Sequence, residues 1–182
     1  MTQIHDWASD ARFVRPDPYT GLGEPDTFEI ASADFERGEK IASTHCAPTN
    51  MSPELHWNAA DLPQGTMALA VTCFDPDAPT LSGYWHWAAF NLPASLTAIP
   101  RGAGSDPTLG LPGAVTLRND AGTTLYYGPQ PPAGHGPHRY IFAVHALDNL
   151  LQIPADAAPT VLSFNLYFHT LARGITWGWM EN

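Results

Sequence analysis

The 182-residue sequence predicts a mainly β fold, a sandwich of two antiparallel sheets with one or two peripheral helices. Three observations carry that expectation. The chain has 18 Pro and 15 Gly with only 14% charged residues, a composition of many turns rather than of a helix bundle. Three apolar runs of strand length, 66–74, 85–92 and 139–147, are separated by long turn-rich stretches. Only one segment, beginning at Pro159, reads clearly as a helix.

The elements follow in order. Residues 1–27, with Pro16, Pro18, Gly21, Gly23 and Pro25, read as an arm laid over the surface or partly mobile. Residues 28–182 read as one domain, long enough to bury roughly 70% of its unfolded surface. Phe28-Glu-Ile-Ala-Ser alternates and starts the first strand, and a turn at Asn50–Pro53 precedes a short strand ending at Trp57. Thr66–Phe74, after the Pro63-Gln-Gly65 turn, is a central strand. Trp85–Leu92 is a second, stopped by Pro93, and residues 93–112 form a loop. Ala114–Arg118 adds a short strand and Arg139–Leu147 the third core strand. Pro159 suits the first turn of a helix through Val161, Leu162, Leu166 and Leu171 that Gly174 ends. Ile175, Trp177 and Trp179 then alternate as a last strand.

Composition narrows the partners. A formal charge of −10, with Lys40 the single lysine beside seven arginines, repels phosphate backbones and anionic membranes, which argues against nucleic acid. No stretch approaches the ~20 apolar residues of a membrane span, and Met1–Trp7 has neither the basic nor the apolar part of a secretory signal. A cytoplasmic location and no membrane insertion are expected. Cys73 sits in an apolar run and reads as a buried free thiol.

The chemistry concentrates in two segments. Asp75-Pro-Asp77-Ala-Pro79 follows a core strand, and His138-Arg-Tyr140 opens another after the Pro131-Pro132-Ala-Gly loop. The plain reading of Asp75 and Asp77 is a pair of turn residues capping backbone amides, and His86 alone on an apolar strand is ordinarily a satisfied core histidine. Strand alternation puts His138 and Tyr140 on one face and turns Arg139 away as a structural ion-pair partner. It also puts His86 with Ala88 and Phe90 rather than with Trp85 and Trp87. Two carboxylates can each orient one imidazole, leaving the second ring nitrogen for a pocket. Such a cluster suits an anion site, a metal site or histidine-assisted hydrolysis. No His-x-x-x-His or Cys-x-x-Cys spacing supports a metal, and no Gly-x-Ser-x-Gly surrounds Ser82 or any other serine.

At these motifs the chain resembles the phosphatidylethanolamine-binding protein family, above all its bacterial branch similar to Raf kinase inhibitor protein. Ser52-Pro-Glu-Leu-His-Trp57, Asp75-Pro-Asp-Ala-Pro79, Gly83-Tyr-Trp-His-Trp87, Asn91-Leu-Pro93, Pro131-Pro-Ala-Gly134, His138-Arg-Tyr140 and Phe164-Asn-Leu occur in family order. The resemblance implies a β-sandwich with a small anion pocket lined by Asp75, Asp77, His86, Pro132, His138 and Tyr140. It implies a non-enzymatic binding or regulatory protein, without cofactor or metal, that takes phosphate-like groups or a phosphatidylethanolamine-type headgroup. A homodimer is expected, and a kinase or protease is the further partner it suggests. The competing expectation is a metal- or histidine-assisted hydrolase using the same Asp and His residues. Three departures stand out: Gln130 replaces the usual small residue before the Pro-Pro pair, residues 1–27 have no family counterpart, and the sequence stops after its last strand without the C-terminal helix of animal members.

Overall fold

The computed structural model describes residues 5–106, 108–109 and 111–182; the first four residues of the expected arm lie outside the described residues. Among the described residues nine strands form two sheets: β1 (Asp26–Thr27), β2 (Ile30–Ala31), β3 (Leu55–Trp57), β4 (Ala68–Asp75), β5 (Tyr84–Pro93), β6 (Ala98–Ile99), β7 (Val115–Thr116), β8 (His138–Leu147) and β9 (Thr170–Met180). The larger sheet has the order β1-β9-β8-β4-β5-β7 and the smaller β2-β3-β6. The mainly β, two-sheet expectation holds. The named strands pair antiparallel except for the short β1–β9 contact, and an isolated bridge joins Lys40 to Trp179 in parallel.

The three apolar runs become β4, β5 and β8, the middle of the large sheet. All ten residues of β8 are buried, because both faces of that sheet are covered. On the inner face, Leu69, Val71, Trp87, Phe142 and Val144 pack against Leu55, Trp57 and Ile99 of the small sheet. On the outer face, Ala70, Ala88, Phe90 and Leu147 meet Leu162 and Leu166 of the α-helix α1 (Pro159–His169). Both cysteines are buried free thiols, and burial pushes Cys46 up to about 11.

Two expectations need correction. The helix does not run to Gly174: it stops at His169, and Thr170 already pairs with Leu147 as β9 begins. Pairing with a fully buried neighbour outweighs the helical periodicity of the segment. Gly174 is a strand residue opposite Val144, and a Cβ there would collide with the Ile30 side chain, so it marks close packing rather than a helix cap. The arm is also more than a surface layer. Trp7 is 1% exposed and packs with Phe13, Ile141 and Trp177 in a third apolar cluster on the outer face. Asp6 accepts from Trp177 Nε1 at 3.1 Å and pairs with Arg37 at 2.8 Å.

Candidate functional site

β4 ends where β5 and β8 begin, so Asp75, His86, His138 and Tyr140 come to one end of the large sheet. Asp75 continues the inner-face positions Leu69, Val71 and Cys73, and Pro76 then turns the chain. His138 and Tyr140 share that face with Phe142 and Val144, as alternation predicts.

His86 reaches the site by a different route. Along β4–β5 the register steps from Cys73↔Trp87 to Phe74↔Trp85, which leaves His86 as the extra residue of a β-bulge. The bulge reverses its side: His86 faces Tyr140, with ring centroids 5.0 Å apart, rather than sharing the Ala88–Phe90 face. Alternation counted across the bulge puts it on the wrong side. A second bulge follows at Asn91, whose φ of 60° is the left-handed conformation that asparagine tolerates.

Each polar group has a defined partner. Asp75 Oδ1 accepts from the backbone amides of Asp77 at 2.7 Å and Ala78 at 3.0 Å, so it does cap its turn. Asp75 Oδ2 accepts from His138 Nδ1 at 2.8 Å. With that proton assigned, a neutral His138 offers Nε2 as an acceptor. His135 Nδ1 lies 2.7 Å from it and can donate. The result is a string Asp75–His138–His135 leading from a buried carboxylate to an exposed imidazole. His135 was not foreseen, since a histidine in a Pro- and Gly-rich loop carries no spacing signal.

His86 Nδ1 donates to the Tyr127 carbonyl at 2.6 Å. Burial lowers its pKa, partly offset by that carbonyl and by Asp75 and Asp120, so the ring is held neutral. Its Nε2 is therefore an acceptor, not the donor that an anion site would ask for. Burial raises the Tyr140 pKa, with Asp75 adding to it, so the hydroxyl keeps its proton. Gln130 is exposed, and its Oε1 accepts from the Tyr127 hydroxyl at 2.5 Å, which ties the residue before the Pro-Pro pair to the ring flanking His86.

Asp77 does not orient an imidazole. Its two oxygens grip Arg139 in a fork, Oδ2 from Nε and Oδ1 from Nη2, each at 2.7 Å, and Oδ2 also takes the Arg139 amide at 3.0 Å. The expectation of an Arg139 ion pair is met, and its partner is the residue expected to serve the pocket. Two residues of turn carry the carboxylates to opposite faces of the sheet. Pro132 is exposed, its carbonyl accepting from the His135 amide at 3.1 Å. Among the described residues no three His, Cys, Asp or Glu side chains gather as a metal site. No helix among them is long and apolar enough to cross a membrane.

Known proteins share this arrangement of sequence and fold. A family profile described as "Phosphatidylethanolamine-binding protein" matches residues 31–179. YbhB of Escherichia coli K12 is 42% identical over 151 residues, covering 79% of this chain and 94% of its own. YbcL of the same organism is 42% identical over 137 residues, covering 71% and 73%. The crystal structure of E. coli YbcL superposes with a TM-score of 0.80 at 35% identity, over 85% of this chain and 98% of that one. A homologue from Chlamydia trachomatis, CT736, superposes at 0.73 with 26% identity, over 86% and 99%. The bulged strand, the Asp75–His138 pair and the two-sheet frame thus stand on a matched stretch of most of the sequence, and the chain belongs to the phosphatidylethanolamine-binding protein family.

Proposed function

We propose that the chain is a non-enzymatic binding protein whose site at the Asp75 end of the large sheet takes a small phosphate-like group, a free phosphate monoester or a phosphatidylethanolamine-type headgroup. The observation that carries this reading is the convergence of Asp75, His86, His138 and Tyr140, drawn from β4, β5 and β8, on one face. Asp77 supports the site from behind through Arg139, and Pro132 belongs to the loop at its rim.

The partners of each group define the guest. A neutral His86 accepts at Nε2, so the ligand brings a proton of its own, a P–OH or an ammonium. Tyr140 donates its O–H. His138, whose Nδ1 is held by Asp75, turns Nε2 to the same guest, which then takes the place of His135. In this arrangement the imidazole stands between the Asp75 carboxylate and the guest, and the proton the guest brings lies between its oxygen and the ring.

Calorimetry with inorganic phosphate and phosphoethanolamine tests the reading. Millimolar phosphoethanolamine raises the melting temperature, His138→Ala abolishes the rise, and His135→Ala strengthens binding by removing the internal competitor. No thermal shift with either ligand sinks the proposal. The hydrolase reading has less support, because Asp77 is occupied by Arg139 and, among the described residues, the four Asp and His side chains it would use do not form one cluster. Turnover of a phosphate ester by metal-loaded protein would revive it.

The homodimer implied by the resemblance has a candidate surface on α1, where Phe164 and Phe168 are 68% and 60% exposed with rings 5.2 Å apart. Sedimentation of a Phe164→Asp, Phe168→Asp double variant is expected to shift a dimer to monomer. An unchanged dimer would place the interface elsewhere. A kinase or protease partner would show in co-purification, and a regulatory role rests on that result.

A further inference from the structure

A second site lies on the other face of the large sheet, and it is independent of the phosphate reading. A cavity of about 190 Å³ opens between the arm, α1 and β4, β5, β8 and β9. An apolar cavity of ~150 Å³ is enough to admit benzene. Its walls include the rings of Tyr19, Phe74, Trp85 and Tyr167, together with Leu166. Phe74 and Trp85 lie 4.7 Å apart by ring centroids and are partly exposed.

The polar lining is cationic. Arg173 is 7% exposed and lines this cavity. Its Nε donates to His145 Nδ1 at 3.4 Å and its Nη2 to the Leu22 carbonyl at 3.2 Å, and the guanidinium lies over the Tyr19 ring at 4.9 Å. Among the described residues no carboxylate lies within 4.0 Å of it. Asp17, the acidic group near enough to affect it, is instead in contact with His5. Buried guanidinium groups ordinarily have a carboxylate or phosphate partner.

His145 adds a second unmet need. Because Nδ1 faces the Arg173 Nε–H and the Thr170 hydroxyl, Nδ1 serves as acceptor and the ring proton resides on Nε2. Nε2 is buried and has no hydrogen-bond partner. Burial and Arg173 both push the His145 pKa well below 6.5, which keeps this proton arrangement neutral. An unpaired cation at the wall of a cavity with aromatic walls, beside a ring whose own N–H is unpartnered, asks for an anionic acceptor attached to a flat apolar body.

We propose that this cavity is a binding site for a small aromatic carboxylate, its carboxylate held by Arg173 beside His145 and its ring seated among Tyr19, Phe74 and Trp85. A phosphate monoester is disfavoured by its charge, because the single guanidinium and the apolar walls leave its second charge without a partner.

Benzoate is the probe, with benzyl alcohol as the neutral ring and inorganic phosphate as the ringless anion. Titration followed by NMR of the His145 and Trp85 side chains, with calorimetry, reads the site directly. Benzoate is expected to bind in the millimolar range or tighter, and at least about tenfold more tightly than benzyl alcohol, the worth of one charge-assisted anchor. Arg173→Met abolishes that preference. Ser163→Leu, which fills the cavity from α1 while leaving Arg173 in place, abolishes binding of both ring compounds and guards against a misfolded arginine variant. His138→Ala leaves benzoate binding unchanged, which separates this site from the phosphate site. Absence of benzoate binding, equal binding of benzyl alcohol, or loss of binding in His138→Ala but not in Ser163→Leu would each overturn the proposal.

Discussion

One strand, β8, carries two buried histidines to opposite faces of the large sheet, and their neighbours are opposite in charge. His138, on the inner face, has the Asp75 carboxylate at 2.8 Å; His145, on the outer face, has the Arg173 guanidinium at 3.4 Å. The spacing of seven residues makes the difference of face unavoidable, since an odd offset on an unbroken strand reverses the side chain. The comparison teaches that burial alone does not set what an imidazole does. A carboxylate behind the ring accepts the proton on Nδ1 and leaves Nε2 facing the loop. A guanidinium beside it makes Nδ1 the acceptor and adds to burial in lowering the ring's pKa.

The outer face holds two buried arginines as well, and they differ in the same sense. Arg139 is 1% exposed and gripped by both oxygens of Asp77, whereas Arg173 has carbonyl, imidazole and ring contacts. Breaking a buried pair strands a charge, so Asp77→Ala is expected to cost about 3–5 kcal/mol in urea unfolding. Removing Arg173 strands no carboxylate and relieves an unpaired buried charge, which offsets its lost contacts, so Arg173→Met should cost less than about 1.5 kcal/mol. Equal losses in the two variants would erase the distinction between a paired and an unpaired arginine.

The next effect in size belongs to the inner histidine. Asp75→Asn keeps an oxygen for the Asp77 and Ala78 amides but replaces the acceptor facing His138 Nδ1 by an amide donor. The loss of a charge-assisted hydrogen bond should cost about 1.5–3 kcal/mol. The His138 proton should also move to Nε2, a change that ring nitrogen shifts report by NMR. An unaltered tautomer would mean that Asp75 does not set the ring's polarity, and the string to His135 would lose its basis.

Much of this was legible in the sequence, and the misses have physical causes. The runs at 66–74, 85–92 and 139–147 name the three central strands because a strand covered on both faces reads as nearly continuous apolar sequence. The pairing of His138 with Tyr140, and Arg139 facing away, follow from alternation on an unbroken strand. His86 does not, because a bulge inserts one residue without a compositional mark, and Asp77 changes faces within a two-residue turn. The end of α1 was hidden because Thr170–Arg173 pairs with Leu147–His145 across long sequence distance. Trp7 and Phe13 lie in a polar, turn-rich stretch whose period signals no element, so their burial against Trp177 is a tertiary fact alone.

The smallest effect sharpens the comparison most, because it turns on protons rather than on contacts. Both His86 and His145 have pKa values lowered from 6.5 mainly by burial. In the unfolded chain each takes up a proton as pH falls through that value, while in the folded chain each stays neutral. The unfolded state thus binds more protons between the folded and unfolded values, and stability falls with decreasing pH across that window and is fully present above it. The two are not equal. Asp75 and Asp120 oppose the shift at His86, whereas Arg173 reinforces it at His145. Urea unfolding between about pH 5 and 8 should show a slope bounded near 1.4 kcal/mol per pH unit for each histidine. His145→Phe should flatten that slope more than His86→Phe does, because a ring beside a guanidinium resists its proton further into acid than one overlooked by two carboxylates. The reverse order would mean that Arg173 is neutralised by a carboxylate, and the outer face would then hold the same kind of pair as Asp77 and Arg139.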